Sequence, residues 1–480
     1  REYERGMATW LNAWIGPLIN QYLSNLELKL APSSLSVMQS SGVTISAARA
    51  ATRAVNLLLS GPVGGLSAAI HTGKQMGLER LMTFDMGGTS TDVSLYDRKI
   101  KLTDEGRIAN YPVAVPMADI HTIGAGGGSI AFIDQGGLLQ VGPESAGARP
   151  GPACYDLGGK HATVTDANLL LGRLKADDFL GGSMHLSRDN AYRSMLPLAA
   201  QLNLSVEEMS LGILKLANEH MSQALREISI QQGYDPSEFT LVSFGGAGGL
   251  HFCELAESLD IRQVIVPACA GVYSALGMLA SPPGRQLVRT HRRRLSDIPA
   301  SEIGDLLARL CQEGIDELAE DGLSADSVAR EYSLDLRYAG QTFTLNVAWK
   351  KDGNPAGDFH QMHKDRYGHR LDRDIELVNL RVRLWIQDAD HPFDRLASSG
   401  FVAVTAGTAD LQNKAGRREE RSNVYGYDES VRIFYKNGLS HASRLEGPLL
   451  IIEDHATHFV KENWTGSSDD RGNLLFRFSG

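Results

Sequence analysis

The spacing of apolar positions changes several times along the chain, and each change predicts an element. Met7, Trp10, Leu11, Trp14, Leu18 and Tyr22 recur every three or four residues and predict an opening helix. A short strand is expected around 35–39. Residues 66–76 read as a helix ended by Gly77, and 80–84 and 93–96 as strands flanking a tight turn at 85–92. Strands 129–133 and 138–141 flank Gln135-Gly-Gly. The longest helical pattern is Val206, Met209, Ile213, Ala217, Met221, Ala224 and Ile228, extending to Gln232. Ser205 is its expected N-cap, and Gly233 and Pro236 its stop. A strand at 240–244 enters Gly245-Gly-Ala-Gly-Gly249, followed by a helix at 250–258 and a buried strand at 263–266.

After Pro282-Pro283 glycine thins out. A helix at 303–322 is followed by strands at 332–338, 342–347 and 378–386, a polar loop or linker at 405–422, and strand-like runs at 431–434 and 447–453. The expected boundary divides the chain into domains 1–284 and 285–480, the second of them β-rich.

Composition narrows the class. At roughly 150 residues per domain, 480 residues allow about three domains. Lys+Arg 47 minus Asp+Glu 57 gives −10, which argues against a nucleic-acid partner. With 22% charged and 42% hydrophobic residues the chain is not wholesale disordered. No apolar run reaches the roughly 18 residues of a membrane span, so no membrane association is expected. No signal peptide is visible. The four cysteines form no C-x-x-C pair, which argues against structural zinc and for a reducing, cytoplasmic location. The chain opens at Arg1 directly in a helical pattern, as a fragment of a longer protein would. The sequons at Asn203 and Asn463 are expected to be chance matches.

The sharpest chemistry lies in Phe84-Asp85-Met86-Gly87-Gly88-Thr89-Ser90-Thr91-Asp92-Val93. An acid ends a buried strand, two glycines allow a tight turn, and hydroxyls and N–H groups follow before the chain re-enters a strand. Such a turn can form an anion nest, with Asp85 placed to hold Mg²⁺. A plain glycine hairpin with polar decoration has the same pattern. A Walker loop does not fit, because no helix and no Gly-Lys-Ser/Thr follow. Ser243 to His251 reads as strand, Gly-rich turn and helix. Contact with the adenosine part of a nucleotide is the preferred reading, and helix–strand packing the alternative. A dinucleotide fingerprint is disfavoured: Leu250 and His251 stand where its last glycine belongs, and the strand ending at Val266 carries no ribose-binding acid. Asp119 and His121, two apart in an extended segment before Gly124-Ala-Gly-Gly-Gly128, could serve a metal or acid–base chemistry, or form a structural hydrogen bond.

Other candidates are weaker. Glu144, Arg149 and Asp166, in or just beyond a Gly/Pro-rich loop, read equally as substrate contacts or solvated polar groups. His360 and His363 lack the spacing and the Glu of a zinc helix. Cys154 and Cys269 are expected to be buried small residues, and Arg292–Arg294 a solvated strand edge. No G-x-S-x-G elbow supports a serine hydrolase.

Taken together, these motifs resemble the hydantoinase A/5-oxoprolinase family, which also includes β-type subunits of acetone and acetophenone carboxylases. The residues carrying the resemblance are Leu59-Ser-Gly-Pro-Val-Gly-Gly65, Phe84 to Val93, Thr122-Ile-Gly-Ala-Gly-Gly-Gly-Ser129, Val141 to Tyr155, Val164-Thr-Asp-Ala-Asn168, Phe244 to His251 and Gly271-Val-Tyr-Ser-Ala-Leu-Gly277. The match is strong over about 1–283. It is looser beyond, through Asp335-Leu-Arg-Tyr338, Gly340-Gln341, Val378-Asn-Leu-Arg381 and Gly447-Pro448.

The resemblance implies an α/β, actin/sugar-kinase/Hsp70-like (RNase-H-like) ATPase domain followed by a smaller β-rich α+β domain. It implies ATP and Mg²⁺ as cofactors, with opening of a cyclic amide (hydantoin, N-methylhydantoin or 5-oxoproline type) through phosphorylation of the amide oxygen. A carboxylase subunit is the alternative within the family, and a non-catalytic nucleotide-binding assembly module the alternative outside it. Asp85, Asp92, Asp119 and His121 would be catalytic, with Asp85 also binding metal. Gly87, Gly88, Thr89, Ser90 and Thr91 would bind phosphate, and Gly245, Gly246, Gly248 and Gly249 the adenosine. A hydantoinase B-type partner and an oligomer are expected. The family's usual N-terminal acid-Gly-Gly-Thr hairpin has no counterpart here, which implies a fragment lacking that domain and inactive alone. Gly249 stands where the family often has Pro.

Overall fold

The computed structural model describes residues 2–103, 106–108, 111–113, 115–324, 326–387, 420–439 and 443–480. The fold is mixed α/β, and contacts group it into two units. One draws on 1–63, 102–118 and 281–391, the other on 64–101, 119–280 and 392–480.

The second unit is built on an eight-stranded sheet. Its strands are β1 (Arg80–Met86), β2 (Thr91–Asp97), β3 (Ile120–Ile123), β4 (Thr240–Phe244), β5 (Gln263–Val266), β6 (Arg444–Glu446), β7 (Trp464–Ser468) and β8 (Leu474–Phe478). Their order across the sheet is β6-β7-β8-β5-β4-β1-β2-β3. The stretch β1-β2-β3 is an antiparallel meander, β4 runs parallel to β1 and β5 parallel to β4. Nearly unbroken apolar runs in β1, β4 and β5 suit strands covered on both faces. Leu81, Met82, Phe84, Leu241, Val264 and Ile265 are accordingly buried, each such side chain contributing roughly 1.5–3 kcal/mol.

One face carries the helices Ser60–Gln75 and Tyr273–Ala280. Phe244, in register with Asp85, packs its ring against that of Tyr273 at a tilt, and the Tyr273 hydroxyl meets that of Thr72 at 2.6 Å. The first of these helices starts earlier than the predicted 66. Glycine weakens a helix, but Gly64 and Gly65 lie against Ser274 and Gly277, where a Cβ at any of the three glycines would collide. The opposite face carries Val206–Ile228, whose predicted start is fixed by a capping box: Ser205 Oγ accepts from the Glu208 N–H at 3.1 Å, and the Glu208 carboxylate accepts from the Ser205 N–H at 2.8 Å.

The other unit contains the helix Glu2–Leu30 and a four-stranded antiparallel sheet, in the order Gly284–Arg294, Ile375–Ile386, Val328–Tyr338, Leu345–Ala348. The helix Ala300–Glu320 packs on this sheet through Leu307, Leu310 and Leu318. Within it Asp335 and Arg381 form a buried pair at 2.7 Å. Arg292–Arg294 lie on an edge strand and are exposed, as expected. His360 and His363 bond to the Tyr338 hydroxyl and the His369 carbonyl.

A new sheet does begin at Gly284, but 285–480 is not one unit: β8 pairs with β5, Val266 opposite Leu474, and returns the chain's end to the large sheet. The expected linker at 405–422 lies outside the described residues except for 420–422, which are strand. Among the described residues no helix is long and apolar enough to cross a membrane.

Candidate active site

Asp85 and Asp92 face each other across the β1–β2 pair, immediately before and after the turn. Like charges directly opposite repel, so the arrangement needs a proton or a cation. Ser274 Oγ donates to Asp85 Oδ2 at 2.8 Å. Burial pushes the Asp85 carboxyl up to about 6, helped by the charge of Asp92 and opposed by the Ser274 bond. Burial also raises Asp92, opposed by the Thr122 hydroxyl, which donates to its Oδ1 at 2.5 Å.

The turn itself is Gly87–Ser90, closed by the Gly87 N–H bonding to the Ser90 carbonyl at 3.1 Å. Among the described residues, no protein acceptor meets the N–H groups of Gly88, Thr89 or Ser90. Gly88 and Thr89 are exposed, and a Cβ on Gly88 would meet nothing within 4 Å. The turn is braced from behind. Gly127 and Gly128 donate to the carbonyls of Gly87 and Gly88 at 3.0 and 2.6 Å, and the Thr91 hydroxyl donates to the Ala125 carbonyl at 2.5 Å. The glycines of 124–128 therefore do not open space for a ligand. A Cβ on Gly126 would lie 2.7 Å from the backbone carbon of Thr89, and one on Gly127 2.8 Å from the Thr165 hydroxyl.

The Gly245–Gly249 loop meets the same site at one end. Gly245 has φ +81, donates to the Ala270 carbonyl at 3.0 Å, and would place a Cβ 2.5 Å from Asp85 Oδ1. Only glycine lets the backbone approach the carboxylate so closely. Ala247 donates to the Met86 carbonyl at 3.0 Å, tying the two loops together. Gly246 is exposed, but Gly248 and Gly249 are buried. A Cβ on Gly249 would lie 2.6 Å from the Thr457 carbonyl, so these two glycines serve packing rather than an open ligand face. The loop then forms a short 3₁₀ turn, and its helix is only Phe252–Ser258. His251 is buried, bonds to Asn218 at 2.6 Å and is held neutral by burial, which pushes it down to about 3.

Asp119 and His121 are not brought to the carboxylates. Thr122 stands opposite Asp92, so alternation turns His121 to the other face of the sheet, where its Nε2 lies 3.4 Å from Glu227. Asp119 precedes β3 and pairs with Lys101 at 3.0 Å. The expectation that both line the reaction centre is corrected on that geometry. Asp166 is fully buried and structural: it accepts from the N–H groups of Ala153, Cys154 and Thr163 and from the Thr163 hydroxyl. Cys154 is buried with its thiol pushed up, so it is no nucleophile. Ser274 and Thr122, the two carboxylate donors, were not singled out from sequence. Both lie in motifs that carry the resemblance, but nothing local links Ser274 to an acid 189 positions away.

The geometry is thus a turn whose backbone N–H groups are unpartnered among the described residues, braced from behind and set beside two facing carboxylates, on a mixed sheet covered on both faces. Residues 5–285 match the hydantoinase/oxoprolinase family, and the chain belongs to it. The caprolactamase subunit alpha of Pseudomonas jessenii is 33% identical over 486 residues, 98% of this chain and 69% of that one. 5-oxoprolinase 1 of Arabidopsis thaliana is 34% identical over 505 residues, covering 99% of this chain and only 38% of that one. The crystal structure of the ATP-dependent caprolactamase from P. jessenii superposes on the whole chain with TM-score 0.86 and 30% identity, and the match spans 71% of that chain.

Proposed function

We propose that the chain is the phosphate-handling part of an ATP-dependent cyclic-amide hydrolase of the hydantoinase/5-oxoprolinase type. The observation that carries this is the Asp85–Asp92 pair under an open turn whose free N–H groups point to an anion. The sheet order β3-β2-β1-β4-β5, with β2 alone antiparallel to its neighbours in that run, supports an actin/sugar-kinase/Hsp70-like ATPase domain. The ATP dependence named for the P. jessenii structure and the 5-oxoprolinase relative support the reaction class.

The residues fit Mg²⁺ and ATP. Among the described residues no cluster of three metal-ligating side chains exists, and Mg²⁺ characteristically takes one or two carboxylates and completes its shell from phosphate and water. Asp85 and Asp92 would hold it. Gly88, Thr89 and Ser90 would donate to phosphate oxygens, and Gly245 and Gly246 would run beside the nucleotide. Bound Mg·ATP supplies the phosphoryl group that activates the amide oxygen and leaves the ring carbon open to water. The substrate is a lactam or related cyclic amide. A partner subunit, of hydantoinase B type on this reading, completes the enzyme; the relative named caprolactamase subunit alpha supports an assembly of more than one kind of subunit.

The test is Asp85→Asn in the intact protein, assembled with its partner subunit. ATP turnover should be lost while the far-ultraviolet circular dichroism is unchanged. Unaltered turnover overturns the assignment.

A further inference from the structure

We propose that Ser274 is a positioning residue for Asp85, set in place by a glycine-lined helix crossing. The inference rests on the reading of Asp85 as a cation-binding carboxylate.

The two oxygens of Asp85 have different surroundings. Oδ2 accepts from Ser274 Oγ at 2.8 Å. Oδ1 abuts Gly245 and, among the described residues, accepts no hydrogen bond. The serine hydroxyl thus fixes the rotation of the carboxylate and leaves one oxygen free beside the turn. A carboxylate held by one bond presents its other oxygen at a defined place, as metal-binding carboxylates require.

Ser274 has no freedom of its own. It lies in the first turn of Tyr273–Ala280, and its neighbour Tyr273 is locked by the Thr72 hydroxyl and the Phe244 ring. The helix Ser60–Gln75 presses on it from the other side. A Cβ on Gly65 would lie 2.9 Å from Ser274 Oγ and 2.5 Å from the Phe244 ring; one on Gly64 would strike the Ser274 carbonyl, and one on Gly277 the Gly64 carbonyl. The crossing is close because these three positions have no side chain, and it drives the serine toward the strand end where Asp85 sits. The Ser-Gly-Pro-Val-Gly-Gly and Gly-Val-Tyr-Ser-Ala-Leu-Gly motifs thereby act on the Asp85 motif through Ser274.

The experiment is a double-mutant cycle on the intact protein with wild type, Ser274→Ala, Asp85→Ala, which removes the acceptor, and the double variant, each read two ways. Thermal unfolding without ligand reports whether the two residues act through one another. Calorimetric titration with Mg·AMP-PNP reports whether that coupling serves the site. We expect non-additive unfolding shifts and roughly tenfold weaker binding in Ser274→Ala. Additive shifts, or unchanged affinity in Ser274→Ala, overturn the proposal. Asp85→Ala binding as tightly as wild type overturns the reading of Asp85 instead, and the unfolding cycle keeps the two failures apart.

Discussion

Asp85→Asn should make the protein more stable at neutral pH, and the gain should vanish in acid. The ordinary carboxyl value is 3.8 and burial moves it to about 6 in the folded chain. The folded state therefore binds the proton more tightly than the unfolded one. The sign follows from linkage: the contribution is fully favourable below about 4 and is lost as pH rises through about 6. The difference of about two units corresponds to ~3 kcal/mol at pH 7.5. Asparagine carries no charge to desolvate and still offers Ser274 an acceptor. Hydrogen exchange of the peptide containing β1 and β2, followed by mass spectrometry without divalent cation, reads the difference locally. Since 1.4 kcal/mol is tenfold, protection in Asp85→Asn should rise by roughly 100-fold at pH 7.5 and by no more than a few-fold at pH 4.5. Equal or faster exchange at pH 7.5, or a ratio independent of pH, would refute the argument that burial strains this carboxylate.

Other outcomes follow from the same geometry. Gly126→Ala should weaken Mg·AMP-PNP binding at least tenfold, because its methyl meets the turn backbone at 2.7 Å, while Gly88→Ala faces open space and should weaken it less; titration of the pair checks the order. Asp119→Asn and His121→Ala should leave that affinity within twofold and cost about 1 kcal/mol or less in thermal stability, since their pairs with Lys101 and Glu227 are only half-buried. Burial pushes Glu453 up, but Lys436 at 2.6 Å and His458 outweigh it and hold the carboxyl at about 2. Its stabilisation is complete above about 4.5 and fades as pH falls toward 2. Lys436→Met should cost roughly 3–5 kcal/mol at pH 7, and denaturant midpoints at pH 7 and pH 3 should show a smaller penalty in acid.

The Gly87–Ser90 turn was legible because its signal is local. An acid, two glycines and hydroxyls within one window specify a strand–turn–strand with exposed N–H groups, although the turn is only Gly87–Ser90, and Asp85 and Asp92, expected within it, stand opposite each other in the flanking strands. The long helix was legible for the same reason, through Ser205 and Glu208 and a sustained period. What failed depended on register and on distant neighbours. His121 and Thr122 are adjacent in sequence, and which of them shares a face with Asp92 is decided by how β3 pairs with β2. Glycines at 126, 248 and 249 look like ligand approaches, but backbone or side chains from other segments fill the space beside them. The helix beginning at Ser60 defies local propensity because Gly64 and Gly65 are needed where it crosses Tyr273–Ala280. The return of β8 to β5 spans some two hundred residues and leaves no periodic trace.

Those misreadings share a cause that bears on function. The sheet's end is crowded with backbone: Gly245 against Asp85, Gly126 against Thr89, Gly64 against Ser274. Each close approach replaces a side chain that would pack with a main-chain contact that positions. The result is a carboxylate kept partly out of water next to another of like charge, an arrangement that costs folding energy and that a divalent cation would relieve. Stability and ligand affinity should therefore move in opposite directions at Asp85, and in the same direction at Gly126, where a methyl damages both. A variant series that showed Asp85→Asn losing stability and nucleotide together would mean the pair is a structural fixture of the hairpin.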